Sequence, residues 1–250
     1  MITLITVTFN ASKTIERTLQ SVEEQTYTEV QHIIMDGSSK DNTIVLANAY
    51  KERVESKGME VIIISEPDKG LYDAMNKAMA LADGDFVCFL NAGDKLHDKT
   101  TLQQIAYKAN PDKVGVIYGN TDIVDENGNK VRSRRLAPPE HLTWKSFKNG
   151  MLVCHQSFYI NREMMQKYDL SYRFSSDFDW CIRCMKSGSE VDFENIYINE
   201  TFTDYLHEGM TTENHKASLI ERFRIMCKHY GIVSTTLHHI WFVVRAIVKK

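Results

Sequence analysis

The chain has 250 residues, of which 43% are hydrophobic and 25% are charged, and its formal net charge is -3 with a pI near 6.3. This length fits one large domain, or one domain with a helical appendage, and it allows a full core without disulfide bonds. The slightly acidic balance argues against a protein that binds nucleic acid over its whole surface.

The first part of the chain alternates short apolar runs with amphipathic segments. The amphipathic segments are predicted helices near residues 15–22, 42–54 and 71–81. This βαβαβαβ order, with strands that are almost continuously apolar, indicates a parallel sheet covered by helices on both faces. The predicted strands are residues 2–9, 30–35, 61–65 and 86–90.

The second part of the chain has a less regular pattern. We predict a strand at 114–118, a hairpin turn at 125–129, a helix at 177–185, a strand at 191–198 and helices from 216 onward. The change of pattern suggests an α/β domain over residues 1–210 and a helical extension over 211–250. Within the domain, residues 1–110 would form one half and residues 111–210 would complete a cleft.

Polar side chains follow each of the four predicted parallel strands. The carboxyl ends of such strands meet at one edge of the sheet, where ligands bind. Each sequence alone is an ordinary turn, but the recurrence predicts a crevice whose oxygens suit hydroxyls, base N–H groups and a divalent cation. No Gly-rich dinucleotide or P-loop motif is present. The polar residues are Thr8 and Asn10, then Asp36, then Asp68, then Asn91 and Asp94.

Four motifs, taken in order, resemble family-two glycosyltransferases with the GT-A fold, most closely the bacterial enzymes that assemble polysaccharides. The resemblance implies a nucleotide-sugar donor, a divalent cation (Mn2+ or Mg2+) and inversion at the anomeric carbon. It also implies transfer to a hydroxyl of a glycan or lipid-linked acceptor in cell-surface polysaccharide synthesis. The motifs are TVTFNA (6–11), DGSSKDNT (36–43), SEPDKGLYDAMNKA (65–78) and FLNAGD (89–94).

The resemblance assigns the donor-binding residues by position. Thr8, Asn10 and Asp36 match family positions that hold the base and the ribose. Asp68, with Lys69 beside it, matches the position that flanks the base and the sugar. The match at Asp36 favours a UDP-sugar as the donor, with GDP- and dTDP-sugars as alternatives.

The resemblance also implies a metal site at residues 91–94. Asn91 and Ala92 stand in the family's Asp-x-Asp region, and Asp94 matches the carboxylate that binds the ion bridging the diphosphate. The first acidic position of that motif is not Asp here, so we expect weak metal affinity without donor. His207 lies in a segment similar to the family's closing loop, where it could be a further metal contact or part of a solvent-exposed loop.

An inverting transfer needs a base that takes the proton of the acceptor hydroxyl. The segment SSDFDW (175–180) resembles the family's base motif at a helix N-terminus, with Asp177 at the base position and Asp179 as the second candidate. The alternative is that both carboxylates complement the helix dipole. His155 and Gln156, in a segment similar to one that faces the sugars in related enzymes, are predicted on the acceptor side.

The last residues, HHIWFVVRAIVKK (238–250), are apolar and basic. This segment could lie on an anionic membrane, or it could pack on the core or on a second subunit of a homo-oligomer. Scattered cysteines, an N-terminus unlike a signal peptide and the absence of a long apolar run predict a cytoplasmic protein, with the inner membrane face as a further site. The CxxC pair, Cys181 and Cys184, is better explained by packing than by metal or redox chemistry.

Two other functions fit parts of the pattern. A nucleotidyltransferase uses a similar sheet and metal, but it would need a loop rich in glycine and lysine after the first strand, where the chain supplies Lys13 alone. A nucleotide- or sugar-binding module without catalysis would explain the missing first Asp of the metal motif.

Overall fold

The computed structural model describes residues 1–206 and 215–248, and it has the mixed α/β architecture that the sequence predicts. Within these residues the strands are β1 (Ile2–Thr8), β2 (Val30–Asp36), β3 (Glu60–Ser65), β4 (Phe86–Phe89), β5 (Lys95–Leu96), β6 (Val114–Val124), β7 (Lys130–Ser133), β8 (Phe158–Asn161) and β9 (Glu194–Leu206). The helices are α1 (Ile15–Glu23), α2 (Thr43–Glu55), α3 (Leu71–Met79), α4 (Thr101–Lys108), α5 (Ser176–Glu190), α6 (His215–Tyr230) and α7 (Ile232–Val248).

The strands form one sheet in the order β3-β2-β1-β4-β8-β6-β9-β5, and β7 pairs with β6. The first four strands run parallel, as predicted, with Thr8 beside Asp36 at the carboxyl ends of β1 and β2. In the other half, β8 runs antiparallel to both β4 and β6, whereas β6 and β9 are parallel. The parallel half of the sheet therefore places its strand ends along one edge, where the polar residues were predicted.

Helices cover both faces of the sheet because its central strands are apolar on both sides. Along β1, Ile5 belongs to a core shared with α3 and α5, while Leu4 belongs to a core shared with α1, α2 and α4. Because both faces of such a strand are buried, its sequence is continuously apolar, and this pattern is the one that predicted the strand. Cys181 and Cys184 are buried free thiols in the first of these cores, in agreement with a packing role.

The second half differs in its element bounds from the prediction. The strand predicted at 114–118 continues to Val124, and the hairpin turn at 125–129 is confirmed by the hydrogen bond from the Asp125 amide to the Asn129 carbonyl. The strand predicted from 191 begins at Glu194, because Asp192 adopts a positive φ of 60° after the end of α5. Elements β8 and α4 were not predicted.

The C-terminal residues are helical, as predicted, but Gly231 (φ 81°) separates two helices. Among the side chains of α7 that the structure describes (232–244), the buried one is polar, Thr235, and the exposed ones are mostly apolar. None of the helices described is long and apolar enough to cross a membrane. The exposed apolar side chains of α7, the apolar face from here on, are Ile232, Val233, Leu237, Ile240, Trp241, Val243 and Val244.

Candidate functional site

A cleft of about 430 Å³ opens at the carboxyl ends of β1 and β4, between the N-terminal ends of α3 and α5. The position follows from the fold, since parallel strands and the helices after them direct loops to this edge. Eight of the predicted site residues line this cleft: Thr8, Asn10, Asn91, Ala92, Asp94, His155, Gln156 and Asp177.

Asp94 sits at the floor of the cleft in a tight turn after β4. Its amide donates to the Asn91 carbonyl at 3.0 Å, and Gly93 between them has a φ of 105°, which favours glycine. The hydroxyl of Thr18, on α1, donates to the Asp94 carbonyl at 2.6 Å and accepts from the Gly93 amide at 2.9 Å. Helix α1 therefore fixes the turn that presents the carboxylate.

The carboxylate of Asp94 is buried, and it forms no ion pair with the residues that the structure describes. One oxygen accepts from the Leu206 amide at 3.0 Å and the other from the Gln156 side chain at 2.8 Å. Burial raises the pKa of Asp94 to about 6, against the opposing effects of these two hydrogen bonds. Burial disfavours the charged form of the carboxylate, and a divalent cation bound beside it would favour that form again.

The donor set beside Asp94 fits a hard divalent cation. The side-chain oxygen of Asn91 is buried and has no hydrogen-bond partner in the part of the chain that the structure describes. Amide and carboxylate oxygens are the ligands that Mg2+ and Mn2+ take in proteins, and these ions keep places for substrate phosphates and water. The residues present therefore suit such an ion. His207, the other predicted contact, lies outside the described residues.

Another acidic cluster, His97 with Asp122 and Asp204, lies outside the cleft. Lys95 is 3.2 Å from Asp204 and Lys130 is 2.7 Å from Asp122, so lysines already neutralise both carboxylates. This compensation makes the cluster a structural network rather than a second metal site.

A chain of polar contacts joins the metal side of the cleft to the predicted base. The Asn91 amide nitrogen lies 3.4 Å from His155 Nε2, and His155 Nδ1 lies 3.6 Å from Asp177 Oδ2. Nδ1, the ring nitrogen that faces Asp177, can carry a proton and donate it toward that carboxylate. His155 thus lies between the two carboxylates that the sequence singled out.

Asp177 occupies the first turn of α5 and is accessible from the cleft. The Tyr72 hydroxyl, from α3, donates to its Oδ1 at 3.2 Å. Burial alone would raise the pKa of Asp177, but the hydrogen bond and charge of His155 and the charge of Arg222 outweigh burial and hold the pKa below its usual range. The carboxylate is therefore ionised at neutral pH.

Asp179, the second candidate for the base, faces away from the cleft. It is fully buried and contacts three basic side chains: Arg183 at 2.5 Å, His229 at 2.8 Å and Lys228 at 3.4 Å. Burial raises its pKa, but His229 and Arg183 reverse the effect and lower the pKa to about 2. The geometry favours Asp177 as the base and gives Asp179 the task of holding α5 against α6.

The donor-side residues divide into two groups. Thr8 is buried, and its hydroxyl has no partner among the described residues, while Asn10 adopts a left-handed conformation (φ 48°) and accepts from the Lys40 amide at 2.8 Å. Both line the cleft. Phe9 between them is 64% exposed, so it presents an aromatic face there.

Asp36, Asp68 and Lys69 do not line the cleft. The Asp36 carboxylate is fully buried and accepts hydrogen bonds from Ser39 and from Ser65 (2.6 Å), which shapes the turn after β2. Asp68 lies at the same edge, since a Cβ on Gly37 would be 2.6 Å from its Oδ2. Lys69 borders a neighbouring depression next to α3. Their donor-binding roles stay predictions.

Gln156 has both ends of its amide engaged inside the protein. The nitrogen donates to Asp94, and the oxygen accepts from the Cys154 thiol at 2.8 Å. The contacts support a role in orienting the metal carboxylate, and the predicted acceptor-side role stays a prediction.

The profile of Glycosyl transferase family 2 matches residues 3–169, more than half of the chain. The chain belongs to this family. A PGL/p-HBAD biosynthesis glycosyltransferase of Mycobacterium tuberculosis (strain ATCC 25177 / H37Ra) is 30% identical over 195 residues, which cover 76% of this chain and 72% of that relative. Family membership identifies the protein as a glycosyltransferase and removes the support for a nucleotidyltransferase.

Solved structures confirm the GT-A fold of this glycosyltransferase. S. aureus TarS (residues 1–349) in complex with UDP-GlcNAc is similar with a TM-score of 0.69 at 16% identity, over 90% of this chain and 64% of that chain. Glucosyl-3-phosphoglycerate synthase from Mycobacterium tuberculosis, in complex with Mn2+, UDP and glucosyl-3-phosphoglycerate, is similar with a TM-score of 0.55 at 15% identity, over 89% and 79%. This chain thus spans less than two thirds of the TarS fragment.

Sequence reasoning missed several residues of the glycosyltransferase cleft. Tyr72 and Arg173 line it from α3 and from the loop before α5, and Tyr205 closes it from β9. Phe9 alone carried a signal, because an aromatic residue directly after a buried strand is exposed at the ligand-binding edge. The others come from distant parts of the chain and meet through the fold.

Proposed function

We propose that this protein is an inverting, metal-dependent glycosyltransferase that moves a sugar from a nucleotide-diphosphate sugar to an acceptor hydroxyl. One observation carries the proposal. On one side of His155 the cleft holds the Asp94 carboxylate and the Asn91 amide oxygen, which has no hydrogen-bond partner among the described residues. On the other side of His155 it holds the ionised carboxylate of Asp177. The first pair suits a cation, and Asp177 suits a base.

The donor would lie along the carboxyl ends of β1 and β4. Exposed Phe9 offers a surface on which a base can stack, and the orphaned Thr8 hydroxyl offers a hydrogen bond. An ion (Mn2+ or Mg2+) held by Asp94 and Asn91 would neutralise charge on the leaving diphosphate. A UDP-sugar is the proposed donor, and the UDP and UDP-GlcNAc bound in the similar structures support it.

Asp177 would take the proton of the acceptor hydroxyl. Tyr72 and His155 hold its two carboxylate oxygens, and its low pKa keeps it ready to accept at neutral pH. In an in-line displacement the base acts on the face opposite the leaving group, so the product has inverted configuration. The name of the mycobacterial relative, a PGL/p-HBAD biosynthesis glycosyltransferase, supports a biosynthetic role, and the acceptor proposed for this chain is a cell-surface glycan or a lipid-linked glycan.

Calorimetry with UDP, GDP and dTDP, each with and without Mn2+, tests the donor site. We expect UDP to bind most tightly of the three. Mn2+ should raise the UDP affinity of the unmodified protein by about tenfold or more, and Asp94→Ala should lose this increase. Asp83→Ala, which removes an exposed carboxylate near the other end of β4, is the matched control. If none of the three diphosphates binds the unmodified protein, the proposed function is wrong.

We also propose that α7 contacts an anionic membrane surface. Its apolar face is exposed, and residues 222–250 contain no Asp or Glu beside Arg222, Arg224, Lys228, Arg245, Lys249 and Lys250. An apolar face with basic flanks is the pattern of an interfacial helix, and it suits an enzyme with a lipid-linked acceptor. It would place the protein on the inner face of the membrane.

Sedimentation with vesicles tests this contact. Phosphatidylglycerol vesicles should bind the protein and phosphatidylcholine vesicles should bind it less. The Ile240→Ser/Trp241→Ser variant should lose vesicle binding. Val45→Ser, which changes an exposed apolar side chain on α2, should keep it. If the unmodified protein is a dimer that does not bind vesicles, and the double variant is a monomer, the apolar face contacts a second copy of the chain instead.

A further inference from the structure

A second cavity, about 210 Å³ in volume, shares Asp177 and His155 with the cleft. All of its lining residues lie at position 123 or later, whereas eleven of the residues lining the cleft belong to the first half of the chain. Asp177 therefore stands between a space bordered by the strand ends and a space bordered by the second half alone. In the proposed reaction the acceptor must lie on the second side.

Arg222, on α6, lines this cavity. Its Nε is buried and has no hydrogen-bond partner among the described residues. The neighbouring Glu221 accepts from the amides of Arg173, Phe174 and Ser175 at 2.8–2.9 Å, which fixes this turn of α6 beside the start of α5. Arg222 is thus held next to Asp177, and the fold leaves its donor unused.

Arg134 contributes a second guanidinium to the cavity. Its backbone is tied to β6 by the hydrogen bond from its amide to the Thr121 carbonyl at 3.1 Å. Its Nη1 donates to the carbonyls of Leu136 and Leu152 at 3.3 and 3.0 Å. These contacts orient the guanidinium, and no carboxylate of the described residues forms an ion pair with it.

The described lining of the cavity carries two arginines and one carboxylate, Asp177, so positive charge is in excess. Neither arginine has a carboxylate within 4.0 Å in the described part of the chain, and the Asp177 oxygens already face Tyr72 and His155. Two oriented guanidinium groups with free N–H donors match the planar, charged oxygens of a phosphate or a carboxylate. A partly buried cation without a partner is costly unless a ligand supplies the opposite charge.

We propose that this cavity is the acceptor subsite and that Arg134 and Arg222 bind a phosphate or carboxylate group carried by the acceptor. The inference rests on the proposed function, which it deepens by naming the acceptor as an anionic glycan or glycan phosphate. The donor diphosphate does not account for the arginines, because Asn91 and Asp94, its proposed site, do not line this cavity.

The test uses the full chain saturated with UDP and Mn2+. Glucose 1-phosphate, glucuronate and neutral glucose are titrated separately, and binding is followed by calorimetry and by saturation-transfer NMR. We expect at least one anionic probe to bind more tightly than glucose by about tenfold, and the comparison of the two identifies phosphate or carboxylate as the recognised group. Equal binding of glucose and both anions overturns the inference.

Variants separate the arginines from general charge. Arg134→Gln/Arg222→Gln should lose the preference for the anion, Arg222→Lys should keep part of it, and Arg224→Gln, an exposed arginine on the same helix, should keep all of it. Unchanged UDP affinity and thermal unfolding show that the variants are folded. If the double variant loses UDP binding instead, the arginines serve the donor and the inference is wrong. If UDP fails to bind the unmodified protein, the proposed function itself falls.

Discussion

The two halves of the molecule position their charged residues in different ways. In the parallel half, Asp94 and Asn91 stand in a loop directly after a strand, and the helix packed behind the loop, α1, holds it. In the other half, Asp177 begins a helix whose start is fixed by α6, more than forty residues later, through Glu221 and Ser218. We call the loops after β1 and β4, with Phe9, Asn91 and Asp94, the donor wall. Elements close by in the sheet position the donor wall, whereas the position of Asp177 depends on packing between segments distant in the chain.

The largest effect should follow from removing the base while keeping its shape. Asp177→Asn keeps an oxygen for the Tyr72 hydroxyl but cannot accept a proton, so transfer should fall by about a thousandfold. Calorimetry should show unchanged UDP and Mn2+ binding, because the donor wall belongs to the other half. Transfer near the unmodified rate would remove Asp177 from the mechanism.

The neighbouring carboxylate should matter for stability instead. Asp179→Asn leaves Arg183, Lys228 and His229 without their buried counterion, and the free energy of unfolding should fall by about 3 kcal/mol. Urea unfolding measures this loss, with Glu190→Gln at the exposed end of α5 as the control. If Asp179→Asn lost more transfer activity than Asp177→Asn while its free energy of unfolding stayed unchanged, Asp179 would be the base and Asp177 would not.

The donor wall should respond to pH through Asp94. Since its pKa is raised to about 6, acidification below pH 6 protonates the carboxylate, and Mn2+-dependent UDP binding should weaken by up to about tenfold per pH unit. The same raised pKa means that, without the ion, this group's contribution to stability declines as the pH rises through about 6. Calorimetry between pH 5 and 8 checks the binding, and Asp94→Ala should show no such step.

The smallest effect should come from the aromatic edge of the donor wall. Phe9→Ala should weaken UDP binding about fivefold, since stacking on a base contributes about 1 kcal/mol. Phe9→Tyr should bind UDP normally because it keeps the ring. Equal UDP affinity in both variants would show that the base lies elsewhere.

The sequence predicted the parallel half well because its strands have a continuous apolar pattern and its site residues follow strand ends. It predicted the Asp177 region through a motif, but it could not show which of Asp177 and Asp179 faces the cleft. Both are in the first turn of α5, and their directions depend on where α6 packs. Arg222 had no local signal, and the motif that singled out Gln156 did not show its bond to Asp94, since the partners of both residues come from separate elements.

The end of β9 and the start of α6 connect the two charges along the chain. The Leu206 amide holds the Asp94 carboxylate, and Glu221 holds the loop that precedes Asp177. Fifteen positions (221 minus 206) separate these two anchors. Both charges of the proposed reaction are therefore held in part by residues beyond position 205, so a chain shortened before Leu206 would lose a support of its metal carboxylate as well as a support of its base.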